Sequence, residues 1–107
     1  MIYLIDDIIV APENTEKYLE LFQTDYLPSA RKRDLELVAC WHTPTDIGED
    51  VNILIIWALR DWKHWDQVRH DSVMDLFSTW AWMDQARALR KGGTRRFFLP
   101  TEFSPFK

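Results

Sequence analysis

The chain opens on ten residues, Met1 to Val10, that are apolar at both parities except at Asp6 and Asp7. That pattern, rich in β-branched residues, predicts a strand covered on both faces. Pro12 suits the first turn of a helix, and Glu13 and Glu16 stand where the helix dipole favours acids. Tyr18, Leu19, Phe22 and Tyr26 continue at helical spacing, and Pro28 sets the expected end of that helix. The run Arg31-Lys32-Arg33-Asp34 reads as a solvated connection. Leu35 to Thr43 predicts a second strand, with Leu37, Ala39 and Trp41 on one face and Glu36, Val38, Cys40 and His42 on the other.

Pro44 to Asp50 has the Pro, Asp and Gly content of a turn, and Val51 to Leu59 is the most hydrophobic strand and therefore the central one. Asp61 is placed to cap a helix carrying Trp62, Trp65 and Val68 on one side. Ser72 and Asp75 have capping-box spacing, so the helix bends or restarts before a second stripe of Val73, Leu76, Phe77, Trp80 and Ala81. Arg87, Arg90 and Lys91 suit its last turn, and Gly92-Gly93 its end. Thr94 to Leu99 is the closing strand, stopped by Pro100.

The resulting order is β-α-β-β-α-β, the α+β ferredoxin-like arrangement, in one domain spanning residues 1–107. Such a sheet carries helices on one face. The doubly apolar first and third strands therefore predict that two copies bury their second faces together, as a homodimeric α+β barrel.

Composition narrows the function. At 107 residues, 47% hydrophobic and 28% charged, the chain is neither disordered nor large enough for two cores. A net charge of −4 argues against a nucleic-acid partner, and the seven-residue apolar stretch Ile53 to Leu59 argues against a membrane span. The start lacks the pattern of a signal peptide, and a single cysteine, Cys40, suits a reducing, cytoplasmic setting. Six Trp, six Phe and three Tyr exceed what a plain core of this size requires. Some of those rings are expected to line a subunit interface or an apolar cavity. With Gly48, Gly92 and Gly93 as the glycines there is no phosphate-cradling loop, so no nucleotide cofactor is expected.

These features together resemble the NIPSNAP-like branch of the dimeric α+β barrel superfamily. The resemblance runs through the first strand into Pro12, Leu37-Val38-Ala39-Cys40-Trp41, the turn at Gly48 and Ile56-Trp57 followed by Asp61. It ends in Leu99-Pro100-Thr101-Glu102-Phe103-Ser104-Pro105, a closing tail that is its most specific element. Many members have an arginine where this chain has Asp6, and a Pro-Gly pair where it has Pro12-Glu13. The resemblance implies a small, largely apolar cavity between sheet and helices in each subunit. It does not imply one reaction, because the superfamily includes oxygenases, dehydratases, cyclases, isomerases and lyases.

On that alignment Asp6 faces the cavity, flanked by Leu4 and Ile8. A carboxylate there must be paired, by Arg95 or Arg96, or used in chemistry. His42 is the second candidate, as a general base near neutral pH, or else as a wet histidine at a strand end. Tyr3, Trp41, Trp57, Phe77, Trp80 and Trp82 are the expected cavity walls, or core. Cys40 and His42 share a face but stand about 7 Å apart, too far for direct activation. His64 and His70, six apart, do not share a helix face as metal ligands would, and no HExxH motif is present. Haem-degrading relatives combine a first-strand Asn with a Trp and a helical His, and here Asp6 and Asp7 replace the Asn. No cofactor is therefore expected. The reading is a cofactor-independent lyase, isomerase or cyclase acting on a small apolar or aromatic substrate through His42 and Asp6. The alternatives are a cofactor-free monooxygenase or a non-catalytic binding protein.

Overall fold

The computed structural model describes residues 1–74 and 76–107, and the side chains of all of these except 72–81. Strands β1 (Ile2–Val10), β2 (Glu36–His42), β3 (Val51–Leu59) and β4 (Arg90–Phe98) form one sheet in the order β2-β3-β1-β4. Every pairing is antiparallel, with Asp6 opposite Ile55 on β3 and Arg95 on β4. Helices α1 (Thr15–Leu21), α2 (Leu27–Lys32), α3 (Trp62–Met74) and α4 (Leu76–Leu89) complete the α+β ferredoxin-like fold. Among the described residues no helix is long and apolar enough to cross a membrane.

The molecule is only 19 Å deep along its shortest axis, room for one sheet and one helical layer. Strand alternation decides what that layer covers. Leu4, Ile8 and Val10 of β1 and Val51, Ile53, Ile55, Trp57 and Leu59 of β3 point at the helices and are buried. Ile5, Ile9, Leu54 and Ile56 point the other way and remain half-buried. The chain by itself thus covers one of the two apolar faces expected from its sequence.

Three departures from the sequence reading have local causes. The register of β2 against β3 slips between Leu37 and Ala39, so Val38 is an extra, bulged residue. Leu37, Cys40 and His42 consequently share the helix-side face, and Ala39 and Trp41 turn to the open one. Pro28 does not end the first helical path. Phe22–Tyr26 forms a wide π turn, in which Leu27 N–H reaches back to the Phe22 carbonyl, and Pro28 falls in the first turn of α2, where an absent N–H costs nothing. The path ends instead beyond Lys32. Asp34 takes a left-handed φ of 62°, and Leu35 N–H and Asp34 N–H return to Ala30 O (3.0 Å) and Arg31 O (3.1 Å).

Last, Arg90, Lys91, Gly92 and Gly93 belong to β4, not to a helix end. A Cβ on Gly93 would stand 3.0 Å from Ile8 Cδ1 and 3.2 Å from Asp7 O, so this glycine permits close approach of β4 to β1. The cap on α3 is as expected, since Asp61 Oδ1 accepts from His64 N–H at 2.8 Å. The proposed Ser72–Asp75 box lies outside the described side chains.

Candidate functional site

The helix layer leaves a cavity of about 930 Å³ against the centre of the sheet. Its floor is Asp6 and Ile8 of β1, Ile55 of β3, and Gly93 and Arg95 of β4. Its wall is aromatic. Tyr18, Phe22 and Tyr26 project from one helical path and meet Trp82 of α4 at ring-centroid distances of 5.5, 6.2 and 5.2 Å. The stripe that the sequence placed on a helix therefore forms, with Trp82, one continuous ring cluster along the cavity.

Asp6 lies in the middle of a central strand and is 8% exposed, where an uncompensated charge costs several kcal/mol. It is fully compensated. Arg95 donates twice, Nε to Oδ1 at 2.6 Å and Nη2 to Oδ2 at 3.0 Å, and the Trp57 indole N–H donates to Oδ2 at 3.1 Å. Burial pulls the Arg95 pKa down, but the hydrogen bonds and charge of Asp6, helped by Tyr26, outweigh it and the net displacement is upward. The pair is a fixed dipole at the cavity floor, with the guanidinium also 6.0 Å from the Trp65 ring.

Tyr18 is 2% exposed, and burial pushes its phenol up to about 12, with Arg90 opposing and Asp6 reinforcing the change. It is a neutral donor at any ordinary pH. Arg33, read from sequence as part of a wet charge run, is buried at the cavity edge with its guanidinium 5.4 Å from the Tyr26 ring. Nothing in a run of four polar residues marks which one the fold will enclose.

The sequence-predicted residues divide between two faces. Asp6, Ile8 and Trp82 line the cavity. Leu4 and Trp57, both fully buried, support it from behind. Tyr3 and Trp41 do not face it, because β1 alternation and the Val38 bulge place them on the open sheet face. There they border a second hollow, of about 470 Å³, with Ile5, Ile56 and Phe106. Phe77 and Trp80 lie outside the described side chains. His42 is exposed at the end of β2, its Nδ1 2.8 Å from the Thr43 carbonyl oxygen, and it borders neither hollow. The fold does not bring His42 to Asp6.

His64 is structural. Its Nδ1 accepts from Arg60 N–H at 3.0 Å, which puts the ring proton on Nε2 for donation to Asp34 O at 2.8 Å. His70, in contrast, reaches the cavity rim, with Nδ1 3.5 Å from Asp71 Oδ1. Cys40 packs against the core, and burial raises its thiol pKa. No group of three His, Cys, Asp or Glu side chains suited to a metal ion occurs among the described residues.

A ferredoxin-like sheet with one helical layer and a ring-walled hollow between them defines a class of small α+β domains with a ligand-sized site. Within that class, the NIPSNAP family model matches residues 8–105, and the chain belongs to the NIPSNAP family. An uncharacterised NIPSNAP domain protein from Burkholderia xenovorans superposes with a TM-score of 0.80 at 21% identity, over 98% of this chain and 99% of that one. A NIPSNAP family protein of unknown function from Agrobacterium tumefaciens gives 0.81 at 19% identity, over 100% and 94%. A putative antibiotic biosynthesis monooxygenase from Nitrosomonas europaea gives 0.66 at 13% identity, over 94% and 98%. These likenesses share the fold. No curated protein matches the sequence.

Proposed function

We propose that the protein is a cofactor-independent enzyme that takes a small aromatic or apolar molecule into the helix-side cavity, and that it works as a homodimer joined through the open sheet faces. The observation that carries the reading is the cavity itself. About 930 Å³ suits a single small ligand, and its ring wall surrounds a compensated carboxylate on the sheet floor. In this reading Asp6 moves the proton, Arg95 and Trp57 hold its two oxygens in place, and the rings exclude water. His42 is omitted, because its ring borders neither hollow. Such a set of residues suits a lyase, isomerase or cyclase step.

The fold likeness to a putative antibiotic biosynthesis monooxygenase favours a second reading, in which the same base generates a carbanion that reacts directly with oxygen. A panel of small phenolic, quinol-like and terpenoid compounds separates the readings. Turnover under strict anaerobiosis that is lost in Asp6→Asn supports the first, and oxygen uptake supports the second. Saturable binding in the cavity without turnover under either condition leaves a binding protein, and no binding there overturns the site.

A further inference from the structure

Among the described residues the cavity lining is charged opposite to the chain. The sequence carries −4, yet that lining has Arg33, Arg69, Arg90 and Arg95 against Asp6 and Asp66. Three of those cations are engaged, since Arg95 clamps Asp6 at 2.6 Å, Arg69 lies 4.0 Å from Asp66 in the open, and Arg33 lies over the Tyr26 ring at 5.4 Å. Arg90 is different. Half-buried at the start of β4, it makes no ion pair with any described residue, and its field reaches Tyr18 across the cavity. The Tyr18 hydroxyl, held neutral, has no hydrogen-bond partner among the described residues. A buried phenol donor and a guanidinium thus line the same ring-walled space as Asp6.

An unpartnered donor and a cation in a low-dielectric hollow are matched by an oxygen anion, and the walls by a flat apolar body. We propose that Arg90 and Tyr18 form an oxyanion seat and that the molecule bound here is an aromatic or similarly flat apolar acid, carrying a carboxylate, phenolate or enolate. The proposal rests on the helix-side cavity being the small-molecule site, and it narrows what that site accepts. A neutral ring compound fills the same walls but leaves both donors unsatisfied, a loss that specificity in buried sites exploits.

The test is a nuclear magnetic resonance titration of the whole protein with 2-naphthoate and, separately, 2-naphthalenemethanol. The side chains of Trp82 and Ile55 report on this cavity, and those of Trp41 and Ile56 on the open face. The acid is expected to bind at the cavity about tenfold more tightly than the alcohol, the size of one charge-assisted hydrogen bond. Arg90→Gln should abolish that preference without weakening the alcohol, and Tyr18→Phe should reduce it in part. Arg90→Lys should retain most of it, as a check that the loss is one of charge. Equal affinities for the two probes, or a preference that survives Arg90→Gln, overturns the oxyanion seat and leaves the cavity as a neutral-ligand site. Absence of any shift at the cavity reporters overturns both the seat and the reading beneath it.

Discussion

Asp6 shows how much one residue can draw to itself. Three donors converge on its carboxylate from β3 and β4. Asp6→Asn removes the charge and leaves the Arg95 guanidinium facing an amide. Because the Arg95 side chain is 46% exposed, water compensates part of the loss. The expected destabilisation is about 2 kcal/mol, read as a lower urea midpoint at unchanged slope. Tyr18 gives a pH signature. Its phenol is protonated in both states below pH 10, so nothing is lost there. Between pH 10 and about 12 the unfolded chain releases a proton that the folded chain retains, and stability falls by up to about 3 kcal/mol. Tyr18→Phe should flatten that alkaline limb in urea titrations. At this scale the sequence made Asp6 conspicuous, because a carboxylate in an apolar strand needs a partner, and Arg95 was one of two candidates for it. It did not mark Arg33 or Arg90. A buried arginine in a basic run has the same letters around it as a wet one.

Among the elements, the strands and their order were legible from hydrophobic rhythm, and the failures occurred where backbone geometry changes the rhythm's phase. One bulged residue at Val38 exchanges the faces of everything after it in β2, so Trp41 reads as core in sequence and is 62% exposed. One wide turn at Phe22–Tyr26 lets a helical path run through a proline. Neither has a compositional mark. Gly92-Gly93 misled in the opposite way, because glycine serves both a helix end and a crowded strand. The two are distinguishable by substitution. A Cβ at Gly92 meets nothing within 4 Å, whereas one at Gly93 meets Ile8 Cδ1 at 3.0 Å and a backbone oxygen. Gly92→Ala should therefore gain about 0.5 kcal/mol from lost unfolded-state freedom, and Gly93→Ala should be less stable than it by about 1 kcal/mol. Thermal denaturation of the pair measures the difference.

For the molecule as a whole, the uncovered face is the conspicuous feature. Trp41 and Phe98 are 62% and 45% exposed, and Phe106 packs on Tyr3 at 5.6 Å while staying largely open. Exposed rings of this kind are what the proposed dimer would cover. Sedimentation at micromolar concentration is expected to give twice the 12.8 kDa chain mass, and Trp41→Glu with Ile56→Asp should return it to one chain. A wild-type protein that sediments as a single chain would refute the dimer, though not the helix-side cavity, whose described walls all come from one copy.

The position of β1 has a consequence for how the polypeptide is made. It precedes both of its sheet neighbours, β3 and β4, in the chain, and the clamp across Asp6 closes only with Arg95, 89 residues later. Until β3 is made the strand has no mate, and until β4 is made one of its edges stays unpaired. A chain that stops short of β4 therefore exposes a bare strand edge with Asp6 lacking its cation, the kind of surface on which partly made proteins misassemble.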